Sequence, residues 1–199
     1  MFCGKNILFT IGHSAHSLTK FLSLLNQHKI QAVVDVRSTP FSRYCPHFNR
    51  QVLARSLRDN KINYVFMGDL LGARRSEADC RKEGKVIYER VEQTDSFQRG
   101  IARLTDGARQ MRVALMCAEK DPLTCHRTIL VARFCAKEFD DVWHILEDGK
   151  IETMADANER LLKETKLSEG DLFAMHEERL RRAYKKRGEL IAHEEEMEV

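Results

Sequence analysis

A chain of 199 residues and 23.1 kDa fits one large or two small domains of ~100–200 residues each, and 43% hydrophobic with 32% charged residues excludes the disordered and fibrous classes. No uncharged stretch approaches the ~20 apolar residues of a membrane helix, and the start MFCGKNILFTIGHS shows no apolar run followed by a cleavage site, so a cytoplasmic protein with no membrane contact is expected. The net charge of +3 hides an asymmetry, because residues 37–90 carry 12 Lys/Arg against 6 Asp/Glu while residues 147–199 carry 10 against 15, and the basic middle suits an anionic partner.

Asn6 to Ile11 reads as a buried strand that ends in the turn Gly12-His13-Ser14. Ser17 is placed to cap a helix bearing Leu18, Phe21, Leu22 and Leu25, ahead of a second apolar run over Ala32 to Val36. Residues 37–48 hold two prolines and no periodicity and read as a loop. Asn49 is placed to cap a helix through Leu53 and Leu57, and Ile62 to Phe66 reads as a third strand. Residues 67–85 read as a long loop rich in glycine and arginine, a length that is often functional inside a compact domain. Ser96 to Arg109 is predicted helical, with Phe97, Ile101 and Leu104 on one face, and Val113 to Met116 is a fourth strand ending at Cys117. Asp121-Pro122 combines a capping side chain with proline at the first helical position and predicts one helix to about Lys137. Val142 to Leu146 makes a fifth strand, and Asp148-Gly149 a turn before Lys150-Ile151-Glu152.

Five short strands alternating with helices predict an α/β protein, a three-layer α/β/α domain with a mostly parallel sheet over residues 1–152. Residues 153–199 read as a charged helical C-terminal extension that packs on the domain or meets a partner. Ser168-Glu169-Gly170-Asp171 there resembles a capping box, and the end frays after His193.

In an open parallel sheet the ligand binds beyond the carboxyl ends of the strands. The candidates gathered there are His13 and Ser14 after the first strand, and Arg37 and Ser38, following Asp35, after the second. Arg74 follows the third strand, and Cys117, Glu119 and Lys120 the fourth. Cys117, ending a buried strand with Lys120 and Arg127 nearby, is either a nucleophile or a small packed apolar residue. Glu119 is a general base, an acceptor for a substrate amine, or a turn cap. Arg37, Arg43, Arg74 and Arg127 are candidate anion holders, while Phe41 and Tyr44 either stack on a base or pack their loop down.

Cys125 and His126 fall in the first turns of the helix predicted from Pro122, where adjacent residues diverge by ~100°. With Cys117 they also lack close-paired ligand spacing, so no metal is expected. The six cysteines form no CxxC pair and read as reduced thiols. The phosphatase loop of cysteine, five residues and arginine fails at Leu123, and the Walker and dinucleotide fingerprints are absent, so no cofactor is expected.

The chain resembles the domain of unknown function 488 family over about residues 6–152. The likeness runs through Ile11-Gly12-His13-Ser14, Val34-Asp35-Val36-Arg37-Ser38 with Pro40 and Arg43, Phe48-Asn49, Leu71-Gly72 with Arg74, and Ala114 through Pro122 followed by Cys125-His126-Arg127. The resemblance implies an α/β/α domain and no established activity. A looser likeness to rhodanese-type sulfurtransferases rests on Asp35-Val36-Arg37, Cys117 and the Val142–Gly149 segment. Glu119 and Asp121 depart from that outline, standing where an anionic group would have to bind.

Together these readings point to an enzyme acting on an anionic, phosphate-bearing or nucleotide-like small molecule. Cys117 and Glu119 would carry the chemistry, and Ser14, Asp35, Arg37, Arg43, Arg74, Cys125, His126 and Arg127 would bind the substrate. The alternatives are a nucleic-acid-binding module using residues 37–90, a rhodanese-like sulfurtransferase, and an interaction module working through residues 153–199. Oligomeric state is not legible in the sequence.

Overall fold

The computed structural model describes residues 5–168 and 175–192. The capping box expected at Ser168–Asp171 and the end after His193 therefore lie wholly or mostly outside the described residues. Strand β1 (Ile7–Gly12) leads into helix α1 (Leu18–Gln27), whose first turn is closed by Ser17 Oγ accepting from the Lys20 N–H at 3.2 Å. Strand β2 (Ala32–Asp35), helix α2 (Arg50–Asp59) and strand β3 (Asn63–Phe66) follow as predicted. Asn49 does not cap α2 with its side chain; its Oδ1 accepts from the Ser42 N–H and ties the preceding loop instead.

The segment expected to be one long loop carries structure. Helix α3 (Gly68–Leu71) and a 3₁₀ turn at Ala78–Cys80 precede a two-stranded ribbon, β4 (Arg81–Lys82) and β5 (Lys85–Val86), and then helix α4 (Tyr88–Val91). Glu83 and Gly84 turn the ribbon with φ of 52° and 80°, the two left-handed residues that a tight hairpin requires. Strands of two residues show no alternation long enough to be read from sequence.

Helix α5 (Asp95–Ala108) leads to strand β6 (Val113–Cys117). The single helix predicted from Pro122 to about Lys137 is broken. Asp121 caps a 3₁₀ turn at Pro122–Thr124, accepting from the Leu123 N–H at 2.8 Å, and Cys125 is extended (φ −133°, ψ 138°). A π-helical stretch over Arg127–Ala132 then runs into α6 (Arg133–Cys135). Strand β7 (Asp141–Ile145) and, beyond the turn at Gly149, strand β8 (Ile151–Thr153) complete the sheet, which has six strands among the described residues, the sixth formed by the segment after the Asp148-Gly149 turn. Their order is β3-β2-β6-β1-β7-β8, all parallel except the edge strand β8.

Alternation along the central strands divides the core between two faces. Phe9, Val33 and Ala114 meet Phe21, Leu25, Leu53 and Leu57 of α1 and α2. Leu8, Val34 and Leu115 meet the opposite layer, formed by Phe97 and Ile101 of α5, Ile129 and Leu130. Helices α7 (Met154–Glu164) and α8 (His176–Ile191) belong to that second layer, since Leu161, Leu162, Ala183 and Tyr184 are buried in the same cluster. Arg160 of α7 bridges Asp121, Glu152 and Glu164, fastening the helix beside the β6 loop. No helix among the described residues is long and apolar enough to cross a membrane.

The topology places one crevice. Strands β1 and β2 continue into helices on one face, whereas β6, lying between them, continues into the helix on the other. Neighbouring connections therefore part above Cys117, where open α/β sheets hold their ligands.

Candidate functional site

Parallel register sets Cys117 beside Gly12 and Met116 beside Asp35, so the ends of β1, β2 and β6 lie level. The ladder continues past β1, with the His13 N–H donating to Cys117 O at 2.9 Å and the Ser14 N–H to Ala118 O at 2.8 Å. A Cβ at position 12 would stand 1.9 Å from Glu119 O, so glycine is what lets the 118–120 backbone lie over β1. From the opposite side the buried Arg127 donates through Nη1 to Glu119 O at 2.7 Å and through Nη2 to Lys120 O at 3.1 Å. The loop bearing Glu119 is thus clamped from two directions, and Arg127, expected to hold an anion, holds backbone.

Asp35 and Arg37 form a buried fork. Arg37 Nε and Nη2 reach the two Asp35 oxygens at 2.9 and 2.7 Å, Nη2 also donates to Phe48 O at 2.8 Å, and the Tyr64 hydroxyl donates to Asp35 Oδ2 at 2.7 Å. Burial and then the Arg37 charge lower the His13 pKa to about 4. As a neutral ring, His13 donates from Nδ1 to Ser14 O and accepts at Nε2 from Arg37 Nη1 at 3.0 Å. Burial works against the Arg37 charge, but the bond and charge of Asp35 prevail and raise its pKa. Burial and the Asp35 charge raise that of Tyr64.

Next to this fork Cys117, Glu119, Cys125 and His126 converge, one ligand atom of each lying within 4.8 Å of the others. The helical divergence expected to separate Cys125 from His126 does not apply, because Cys125 sits in extended backbone between two helical turns. Cys125 Sγ lies 2.9 Å from Glu119 Oε2, and His126 Nδ1 lies 3.7 Å from Cys117 Sγ and 4.0 Å from Cys125 Sγ. His126 Nε2 donates to Val36 O at 3.0 Å, which turns Nδ1 toward the sulfurs. Cys117, Cys125 and His126 are buried; Glu119 is exposed as a residue, with its carboxylate turned inward onto Cys125.

The four groups titrate as one cluster. A hydrogen bond to Cys125, then burial, pushes the Cys117 thiol well up. Burial would raise Cys125 too, but the Cys117 hydrogen bond, the Arg127 charge and His126 outweigh it and hold Cys125 well below the ordinary thiol value. Burial and then the Cys125 charge raise the Glu119 carboxyl. Burial opposes protonation of His126, yet the hydrogen bond and charge of Cys125 prevail and raise it.

A cavity of about 360 Å³ opens beside the cluster. Cys117, Glu119 and His126 line it together with Arg37, Ser38 and Thr39 after β2, Arg74 after β3, and Tyr88 of α4. Ser14, Asp35, Cys125 and Arg127 support the lining from outside it, and Arg43 stands exposed on the neighbouring loop. Ser38 was among the strand-end candidates after the second strand, whereas Thr39 and Tyr88 were not. Thr39 follows Ser38 directly and was within reach of the strand-end argument, whereas Tyr88 follows the ribbon that the sequence did not disclose. Phe41 and Tyr44 are 64% and 97% exposed, so they do not pack their loop down. A larger cavity of about 420 Å³ lies at the other end of the sheet, lined among the described residues by Lys5, Lys29, Arg109 and Arg112 and by no cysteine, histidine or carboxylate.

A family profile described as "Domain of unknown function DUF488" matches residues 17–134, more than half of the chain. No curated protein and no solved structure matches.

Proposed function

The chain belongs to the family described as domain of unknown function DUF488, a description that names no reaction, and we propose from the site itself an enzyme that acts on a small anionic substrate, phosphate-bearing or nucleotide-like. The observation that carries this reading is that Arg74, Cys117 and Glu119 share one cavity of about 360 Å³, within the ~300–1,000 Å³ of small-ligand sites. Arg74 meets the anion beside the hydroxyls of Ser38 and Thr39, and Cys117 and Glu119 stand at the reacting end with Cys125 and His126 against them. Asp35, Arg37 and Arg127 act as positioning residues, because Asp35 and Arg37 hold one another, Arg37 also bonds His13, and both Arg127 Nη atoms donate to backbone carbonyls. Ser14 is tied to the β6 loop through its backbone N–H. The sulfurtransferase outline gains no support, since Arg37 is held by Asp35 and the Glu119 carboxylate faces the cysteines.

Titration of the protein with inorganic phosphate and nucleoside monophosphates tests the reading. Arg74→Ala is expected to weaken binding about tenfold or more, the loss of one charge-assisted contact. Cys117→Ser is expected to abolish turnover of any substrate found in a panel of phosphate esters. Absence of anion binding, or full turnover by a stable Cys117→Ser protein, sinks the assignment.

A second reading is favoured by one observation, the exposed Phe41 and Tyr44 flanking the exposed Arg43. Such a trio suits stacking on the bases of a single strand. Elsewhere in the basic middle Arg37 and Arg75 are buried and Arg90 bonds backbone carbonyls, while Arg55, Arg58 and Lys61 are exposed, so what favours this loop is the pair of exposed aromatics beside its cation. Tyr44→Ala is expected to weaken single-strand binding about 5- to 150-fold, with affinity falling steeply as salt rises. A protein that binds no oligonucleotide at low salt removes it.

A further inference from the structure

We infer that Cys117, Cys125, His126 and Glu119 bind one divalent transition-metal ion, zinc by the chemistry of the donors, at the end of the cavity. The inference rests on the cavity reading in one respect only, that the metal would face the substrate. Two sulfurs, one imidazole nitrogen and one carboxylate oxygen within 4.8 Å of one another form a complete four-donor set. Bond lengths of ~2.3 Å for Zn–S and ~2.05 Å for Zn–N make the S···N edge of a tetrahedron about 3.6 Å. Here the two S···N separations are 3.7 and 4.0 Å. The two S···N edges would close round an ion by only tenths of an ångström, and Glu119 Oε2, 2.9 Å from Cys125 Sγ, would swing outward on its exposed side chain.

The surroundings match those of built metal sites. Ligating histidines generally donate their other ring nitrogen to a carbonyl or carboxylate, fixing tautomer and orientation, and His126 does so to Val36 O at 3.0 Å. The Arg127 backbone N–H approaches Cys125 Sγ at 3.4 Å, a contact that steadies thiolate. The Gly12 and Arg127 clamp holds Glu119 and the end of β6 in fixed relation. Binding displaces to solvent the protons that the cysteine, histidine and carboxyl donors carry, and the divalent charge offsets the anions left behind. Glu119 is the exposed arm of the four and lines the cavity, so its position is the exchangeable one. Cys117, Cys125 and His126 then remain as three protein ligands, the pattern that leaves a place for substrate.

The test uses the full chain, reduced and stripped with a chelator, titrated with Co²⁺ and then with Zn²⁺. One Co²⁺ per chain, a thiolate-to-metal charge-transfer band with the strong visible bands of tetrahedral cobalt, and loss of both on adding Zn²⁺ are the expected results. Cys125→Ala should weaken Co²⁺ binding roughly 100-fold or more and Glu119→Gln about tenfold, with circular dichroism confirming that each variant is folded. Failure of the reduced wild-type protein to bind Co²⁺, or binding with no thiolate band, overturns the inference without depending on any variant. Phosphate titration of the same metal-free protein separates the two ideas. Anion binding without a cobalt spectrum leaves the cavity reading standing and removes the metal, and a cobalt spectrum without anion binding does the reverse.

Discussion

Replacement of Asp35 by alanine is expected to lower the unfolding free energy by about 3–5 kcal/mol, the usual cost of leaving one partner of a buried ion pair uncompensated. Asp35 is fully buried and takes two bonds from the Arg37 guanidinium, one from the Arg37 backbone N–H and one from Tyr64. Its removal strands a buried cation and a half-buried phenol together. The double change Asp35→Ala/Arg37→Met should recover much of the loss, because no charge is then left unpaired. Urea denaturation of the three proteins measures this. A single-variant cost below about 1 kcal/mol, the range of exposed pairs, would show that the fork is solvated. The same variant should also lose anion affinity without touching a ligand, since Arg37 carries Ser38 and Thr39 to the cavity.

Stability should fall as the solution is acidified, and His144 is, with His13, one of two buried histidines that cause it. Its ring is fully buried on β7, with Nδ1 2.8 Å from Thr10 Oγ1 and Nε2 without a partner. Burial, then the charges of Arg127 and Arg160, lower its pKa to about 3 despite the opposing charge of Asp121. The unfolded chain takes up this proton near pH ~6.5 and the folded chain does not, so the unfolded state binds more protons throughout the interval between. The contribution of His144 is complete above the unfolded value and is lost as pH falls toward about 3, at ~1.4 kcal/mol per pH unit. His144→Asn, which keeps a polar atom for Thr10 and does not titrate, is expected to flatten the pH dependence by that slope between pH ~6 and ~4. Denaturation midpoints across this range check it, and equal slopes for the two proteins would mean that the buried ring is protonated in the fold.

Legibility in the sequence followed the range of the interactions involved. Leu8, Val33, Val34 and Leu115 lie in short apolar runs, and each run became a central strand. Ser17 capped the helix expected of it through a bond spanning three residues. Asp121 also capped as its side chain suggests, but a 3₁₀ turn and a long helix share the same opening signals. The break at Cys125 has no local marker, for its sulfur is directed by Glu119, six residues back on a different loop. The ribbon at Arg81–Val86 is too short for periodicity, and Tyr88 was missed with it.

Apolar runs, caps and turn residues thus determined by themselves that this is a layered α/β protein and that Arg37, Cys117 and Glu119 stand at or just beyond strand ends. Only the tertiary structure decided which of these meet. Insertion of β6 between β2 and β1 brings His126 onto Val36, 90 residues away, and strand order is not written in runs of similar apolar residues. It decided equally that Asp35 claims Arg37 while Arg74 faces the cavity. A guanidinium is committed or available according to the acceptors that the fold sets around it, and those come from distant parts of the chain.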